Sequence, residues 1–303
     1  MPAYPYTIYD VFTDTALTGN ALAVVFDADS LETERMQAIA REFNLSETVF
    51  IRTPDNPAHS AALRIFMPRG ELPFAGHPTV GAAVAITERR GTVETGSIVM
   101  LEMPVGLVRA VTSGGKGAPF AEFDLPRIPE PVAFDAERET VAAALGLGPH
   151  DIGFENHHIS AWSAGVPYIY VPVRGLEAAA AARMDEAQWL AHFPGIEPMV
   201  APCPFVYCRE SVNHDCDFHA RMFAPHHGMP EDPATGSAAA AFAGAVVQFD
   251  APVDGPHVVM IEQGVEMGRP SRIRLEIELE AGRISAARIG GHAIRVADGT
   301  LRV

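Results

Sequence analysis

Glu47, His77, Asp232 and Ser237 are the side chains whose types and settings could move a proton on a small molecule. Glu47 lies in Asn44-Leu45-Ser46-Glu47-Thr48-Val49-Phe50, at a predicted helix-to-strand junction. The apolar run that follows would carry it to the edge of a core. A carboxylate partly desolvated there has a raised pKa, as a group that takes a proton and later returns it requires. His77 and Asp232 sit in two turns that look like copies: Gly76-His77-Pro78-Thr79-Val80-Gly81 and Glu231-Asp232-Pro233-Ala234-Thr235-Gly236-Ser237. Read as equivalent positions, they form a pair able to orient a substrate or relay a proton. Both could instead serve only as helix caps. Ser237 is either a cap or a hydroxyl donor to a bound carboxylate.

Each turn opens an alanine-rich helix, predicted over 79–87 and 237–247, and each helix is apolar nearly all round. Such a helix belongs inside a core, with its N-terminus at a cleft. Backbone N–H groups near Gly76 and Gly236 would bind an anion there, so two helix starts from related halves would form a carboxylate clamp between two domains.

The elements around the turns repeat as well. Arg64-Ile65-Phe66-Met67-Pro68 precedes the first turn, and Arg221-Met222-Phe223-Ala224-Pro225 precedes the second. Ile98-Val99-Met100-Leu101-Glu102 follows the first helix and is answered by Val258-Val259-Met260-Ile261-Glu262. The repeat is spaced by about half the chain, so two sequential domains are expected. The proline-rich stretch 126–131 is the linker candidate. The predicted domains are residues 1–127 and 128–285, with a C-terminal strand from about 286 to 303.

In the first half, alternation predicts strands over 6–12 and 21–26 as a hairpin, then a helix over 31–42 with Ser30 as its N-cap. Strands are expected over 48–52, 61–66, 97–103, 107–111 and 121–125. In the second half the expectation is strands over 168–173, 204–208 and 217–223 and a helix over 185–192. Gly114-Gly115-Lys116-Gly117 reads as a hairpin tip.

With 303 residues, 48% hydrophobic and 20% charged, the composition is that of an ordinary globular protein. A formal net charge of −16 with no basic run argues against nucleic acid or an anionic membrane as partner. No secretory signal is visible and no apolar run is long enough to span a bilayer, so the cytoplasm is the expected location. Three cysteines, Cys203, Cys208 and Cys216, suit a reducing compartment. Cys208, His214, Cys216 and His219 resemble a zinc set when merely counted, but strand alternation puts His214 and Cys216 on the face opposite His219, so no metal is expected. His157-His158 and His226-His227 read as solvated loop histidines. No phosphate-binding glycine motif is present, so nucleotide cofactors have no seat.

Five motifs together carry a family resemblance: Asp10-Val11-Phe12-Thr13, Gly19-Asn20, Phe43-Asn44-Leu45-Ser46-Glu47-Thr48, Pro73-Phe74-Ala75-Gly76-His77-Pro78-Thr79 and the second turn from Glu231 to Ser237. In this order, over nearly the whole chain, they resemble the PhzF-like family of phenazine-biosynthesis isomerases. The resemblance implies an α+β fold of the diaminopimelate-epimerase type: two pseudo-symmetric domains, each a curved sheet or open barrel around a central helix, with the last strand returning to the first domain. It further implies a homodimer, no cofactor and a small carboxylate substrate such as trans-2,3-dihydro-3-hydroxyanthranilate. Glu47 would be the general acid/base, with His77, Asp232 and Ser237 around the substrate and Gly76 and Gly236 holding it through backbone N–H groups. Ala21 replaces a proline frequent after Gly-Asn in the family, and Ala239-Ala240 replace bulkier or polar residues, so the pocket would be reshaped.

A racemase or epimerase of the same fold is the alternative. Its two-thiol form is disfavoured because neither turn carries a cysteine. A non-catalytic small-molecule binding protein is the third reading.

Overall fold

The computed structural model describes residues 2–114, 117–195 and 201–303. Its contacts divide the chain into two compact units, Met1–Pro126 with Ile289–Val303, and Arg127–Arg288. Of the Gly114–Gly117 tip, residues 115 and 116 lie outside the described part.

The first unit runs β1 (Ala3–Val11), β2 (Asn20–Val25), α1 (Thr33–Phe43), β3 (Glu47–Arg52), β4 (Ala61–Met67), β5 (Gly70–Leu72), α2 (Gly76–Arg90), β6 (Ser97–Met103), β7 (Gly106–Ser113) and β8 (Phe120–Asp124). β2 and β3 pair in parallel, as do β4 and β6, while the other neighbouring strands are antiparallel. α2 is buried from Gly76 to Thr87 because it has no polar face to turn outward, and it packs on β1, β2, β7 and β8. α1 lies on β3 and β4, burying Met36, Ile39 and Ala40 with Phe50 and Phe66. Its N-cap is Glu32, not Ser30. The Ser30 hydroxyl pairs instead with that of Tyr4 at 2.7 Å.

The second unit holds β9 (Glu130–Pro131), α3 (Arg138–Ala144), β10 (Ser160–Ser163), β11 (Pro167–Pro172), α4 (Leu176–Ala181), α5 (Glu186–His192), β12 (Cys203–Cys208), β13 (Phe218–Ala224), β14 (Met229–Asp232), α6 (Gly236–Asp250), β15 (Gly255–Gln263) and β16 (Ser271–Glu280). The pairing directions recur: β11 with β12 and β13 with β15 are parallel, β12 with β13 and β15 with β16 antiparallel. α6, the counterpart of α2, packs on β10, β11 and β16.

The last strand, β17 (Arg283–Arg302), enters through Ala281 and Gly282, both at positive φ (50° and 71°), as a two-residue hairpin turn requires. Arg288 on it holds Glu276 of β16 at 2.6 Å. From Ile289 it belongs to the first unit, where it pairs with β8 and runs antiparallel to β1 from Val11↔Ala293 to Ala3↔Arg302. These pairings close β1, β2, β3, β4, β6, β7, β8 and β17 into a barrel, so the first unit is closed where an open barrel was among the expectations. The fold is α+β and duplicated. Among the described residues no helix is long and apolar enough to cross a membrane.

Strand register corrects the matching of the two turns. In the first unit Val49 pairs with Ile65, which pairs with Leu72; in the second Phe205 pairs with Met222, which pairs with Asp232. The helices then begin at Gly76 and Gly236. The counterpart of His77 is therefore Ser237, that of Asp232 is Leu72, and that of Glu47 is Cys203. Pro78 is the third residue of its helix, whereas Pro233 stands in the loop ahead of its own, so aligning the prolines displaces the match. Twin ion pairs mark the true alignment. Arg64 grips Glu71 at 2.7 and 2.6 Å, and Arg221 grips Glu231 at 2.8 and 2.9 Å.

Candidate active site

In the first unit, three chain segments bring Asn20, Glu47 and His77 together. Glu47 is the first residue of β3, just after the left-handed Asn44 (φ 50°) that ends α1. Its side chain falls on the same strand face as Val49, since residues two apart share a face. His77 is the second residue of α2, whose N-cap Ala75 offers no side-chain cap. His77 Nε2 stands 3.3 Å from Glu47 Oε2, with side-chain exposures of 5% and 12%. On the other edge of the ring, Asn20 Nδ2 lies 3.4 Å from His77 Nδ1.

Burial pushes the His77 pKa down to about 3, so the imidazole is neutral at ordinary pH even beside a carboxylate. The short separation from Glu47 is thus not a salt bridge between full charges; desolvation outweighs the attraction. With the Asn20 amide directed at Nδ1, that nitrogen accepts and Nε2 carries the proton. The approach lacks the alignment of a hydrogen bond: His77 Nε2 and Glu47 Oε2 are both buried without a hydrogen-bond partner, so a neutral ring stands beside the carboxylate without competing for its proton.

In the second unit, Asp232 ends β14, 5% exposed, and accepts the Thr235 hydroxyl at 2.6 Å. Gln263, fully buried at the end of β15, binds this turn at three points. Its Nε2 donates to the Asp232 carbonyl at 2.7 Å and to Thr235 Oγ1 at 3.0 Å, and its Oε1 accepts from Thr235 N at 3.1 Å. Gly264 follows at φ +77°, where a Cβ would lie 2.6 Å from the Pro233 carbonyl oxygen, so only glycine lets the strand end lie against the turn. Ser237 Oγ, one residue into α6, pairs with Tyr168 Oη at 2.7 Å. Thr235, the N-cap of α6, makes no side-chain cap. Gln263 and Tyr168 were not singled out from sequence. Each lies far along the chain from its partner, and only the repeat of 98–102 in 258–262, one residue short of Gln263, pointed nearby.

The remaining histidines and cysteines divide differently than expected. His157 is buried, not solvated: it stacks on Phe154 and meets the Tyr207 hydroxyl and Asp250 Oδ1, both at 3.0 Å, while His158 is exposed. His226 and His227 are half-buried, with His226 Nε2 3.6 Å from Cys203 Sγ. His219 is fully buried, with Nδ1 2.7 Å from Glu262 and Nε2 3.0 Å from Glu266. Both its nitrogens are engaged by carboxylates, which outweigh desolvation and raise its pKa to about 9. Burial pushes the Cys203 thiol up to about 12, with the Asp232 charge adding to the shift.

The family model described as "Phenazine biosynthesis-like protein" matches residues 9–299. The chain is 56% identical over 296 residues to an uncharacterized isomerase of Mesorhizobium japonicum, covering 98% of each chain. It is 34% identical over 294 residues to the trans-2,3-dihydro-3-hydroxyanthranilate isomerase of Pseudomonas aeruginosa, covering 97% of this chain and 98% of the relative. Among solved structures, the phenazine biosynthesis protein of the PhzF family from Bacillus anthracis superposes with a TM-score of 0.89 over 100% of both chains at 24% identity, a likeness of fold. By a family model spanning almost its full length and isomerase relatives matched end to end, the chain belongs to the phenazine biosynthesis-like (PhzF) family and is an isomerase.

Proposed function

We propose that this isomerase shifts a proton between two carbons of a small carboxylate substrate, without a cofactor, and that Glu47 removes and returns it. The observation that carries the reading is the neutral His77 Nε2 at 3.3 Å from the nearly buried Glu47 carboxylate. A base in such surroundings is poorly solvated and must regain a proton within the same encounter, which suits a shift along one face of a conjugated system. Asp232, like His77, is assigned a catalytic part, and Gly76, Gly236 and Ser237 the binding of the substrate carboxylate and its polar groups. The motif match supports these assignments, as does the absence of a side-chain cap at either helix start. The racemase alternative requires a second acid/base. The register counterpart of Glu47 is the Cys203 thiol, whose raised pKa makes it a poor base. A cytoplasmic homodimer is proposed on the family likeness alone; light scattering of the purified chain tests the dimer.

The first substrate to try is trans-2,3-dihydro-3-hydroxyanthranilate, which names relatives at 32–34% identity. On any substrate the protein turns over, Glu47→Gln is expected to lower kcat by at least about a thousandfold, since Gln keeps size and hydrogen bonding but cannot take a proton. Substrate affinity by calorimetry should change little. A Glu47→Gln variant with wild-type kcat overturns the assignment.

A further inference from the structure

We propose that Cys203, His226 and His227 form a binding site for a thiophilic divalent metal ion of the zinc class. Cys203 opens β12, held in parallel register opposite Tyr168 of β11. His226 and His227 occupy the single 3-10 turn Pro225–His227 between β13 and β14, ended by Gly228 at φ +87°. One ligand atom from each of the three residues lies within 4.8 Å of the others. A tetrahedral zinc ion with metal–sulfur and metal–nitrogen bonds of ~2.3 and ~2.05 Å separates the two ligand atoms by ~3.5 Å. Cys203 Sγ and His226 Nε2 stand 3.6 Å apart, already at that spacing. The His227 ring, its centroid 4.3 Å from that of His226, completes a three-ligand face. None of the three cysteines is in a disulfide, so the Cys203 sulfur is available as a ligand. Its proton leaves to solvent as the sulfur–metal bond forms.

Ligand chemistry selects the ion. One thiol with two imidazoles suits zinc, cadmium or cobalt and gives magnesium or calcium no oxygen donors. A second convergent group in the same unit, Glu155, His157 and Asp250, does not qualify. The Arg209 guanidinium already fills it, at 2.6 Å from Asp250 Oδ1, 3.2 Å from His157 Nε2 and 3.3 Å from Glu155. The 3-10 turn leads directly into β14, which ends at Asp232, so a bound ion would stiffen the segment that presents that carboxylate.

The test is a titration of the full-length protein with cadmium, read by the ultraviolet thiolate-to-cadmium charge-transfer band, and with zinc against a chromophoric chelator. Cys208→Ser/Cys216→Ser removes the other thiols and should leave one ion bound per chain with the band intact. Cys203→Ser should abolish the band. His227→Gln, a change at a half-buried position that leaves the thiol in place, should weaken both metals by more than about tenfold. Thermal melts of the metal-free variants identify any that fail to fold, and His227→Gln then decides alone. A wild-type protein with no band at micromolar cadmium, or a folded His227→Gln or Cys203→Ser variant that binds as the wild type does, overturns the site.

Discussion

At the scale of single residues, the candidate site depends on His77 remaining uncharged. Its pKa is about 3 in the folded chain and 6.5 ordinarily, so the unfolded chain takes up a proton that the folded chain refuses. Folding stability is therefore unaffected by His77 above about pH 6.5 and declines as pH falls from there toward 3. Denaturant unfolding of wild type and His77→Gln at pH 7 and pH 4 should show the wild type losing on the order of 2–3 kcal/mol more than the variant. An equal loss in both would mean that His77 takes up its proton in the folded state. For the same reason, an ionisation near neutral pH in a kcat/KM profile would not belong to His77. Glu47, His77, Asp232 and Ser237 stand out as candidates in the sequence because each sits in a motif whose turn chemistry can be read locally. Asn20 was quoted only as part of a motif, and its approach to His77 Nδ1 depends on β2 lying next to β3, a parallel pairing that no local pattern announces.

At the scale of elements, both central helices must come close to their sheets, and a glycine sets the approach in α6. A methyl group at Gly244 would run into the indole of Trp162 on β10. Gly244→Ala should cost roughly 1–3 kcal/mol, despite the better helix propensity of alanine, because the backbone or the ring must move. In the double variant Gly244→Ala/Trp162→Leu most of the loss attributable to the methyl should disappear, as a thermodynamic cycle from urea unfolding would show. Additive losses would exclude the clash as the cause. The strands bordering each turn were read to within a few residues, since alternation and turn residues bound them. β5 and β14 were missed because three or four residues give no period to detect. Without β14, Asp232 looks like part of the helix start and so lines up with His77. α3 and α4 were also missed, being only seven and six residues long. Burial of Val141, Ala142, Ala178 and Ala179 in one tertiary core, not helix propensity, supports them.

At the scale of the whole molecule, one strand belongs to both units, and the closure of the first unit depends on it. The duplication was visible in the sequence because paired motifs preserve side-chain types, as Arg64-Ile65-Phe66-Met67-Pro68 and Arg221-Met222-Phe223-Ala224-Pro225 do. The return of the last strand was not visible in composition or period and came only with the family likeness. At Gly290, β17 lies close against β8. A Cβ there would stand 2.7 Å from both Glu122 Cβ and the tip of Phe120, and 3.1 Å from the Ala121 carbonyl oxygen. Its φ lies outside the left-handed region that would demand glycine, so the constraint is space alone. Gly290→Val should therefore wedge the seam between β8 and β17, while Gly290→Ala should do so to a lesser degree. Hydrogen exchange provides the readout, because amides at a loosened seam open without global unfolding. Phe120–Asp124 and the adjoining part of β17 should exchange faster in the valine variant, with β12 and β13 unchanged. Uniform acceleration across both units would show that the seam is not an independent closure, and unchanged exchange at β8 would show that the ring tolerates the added volume.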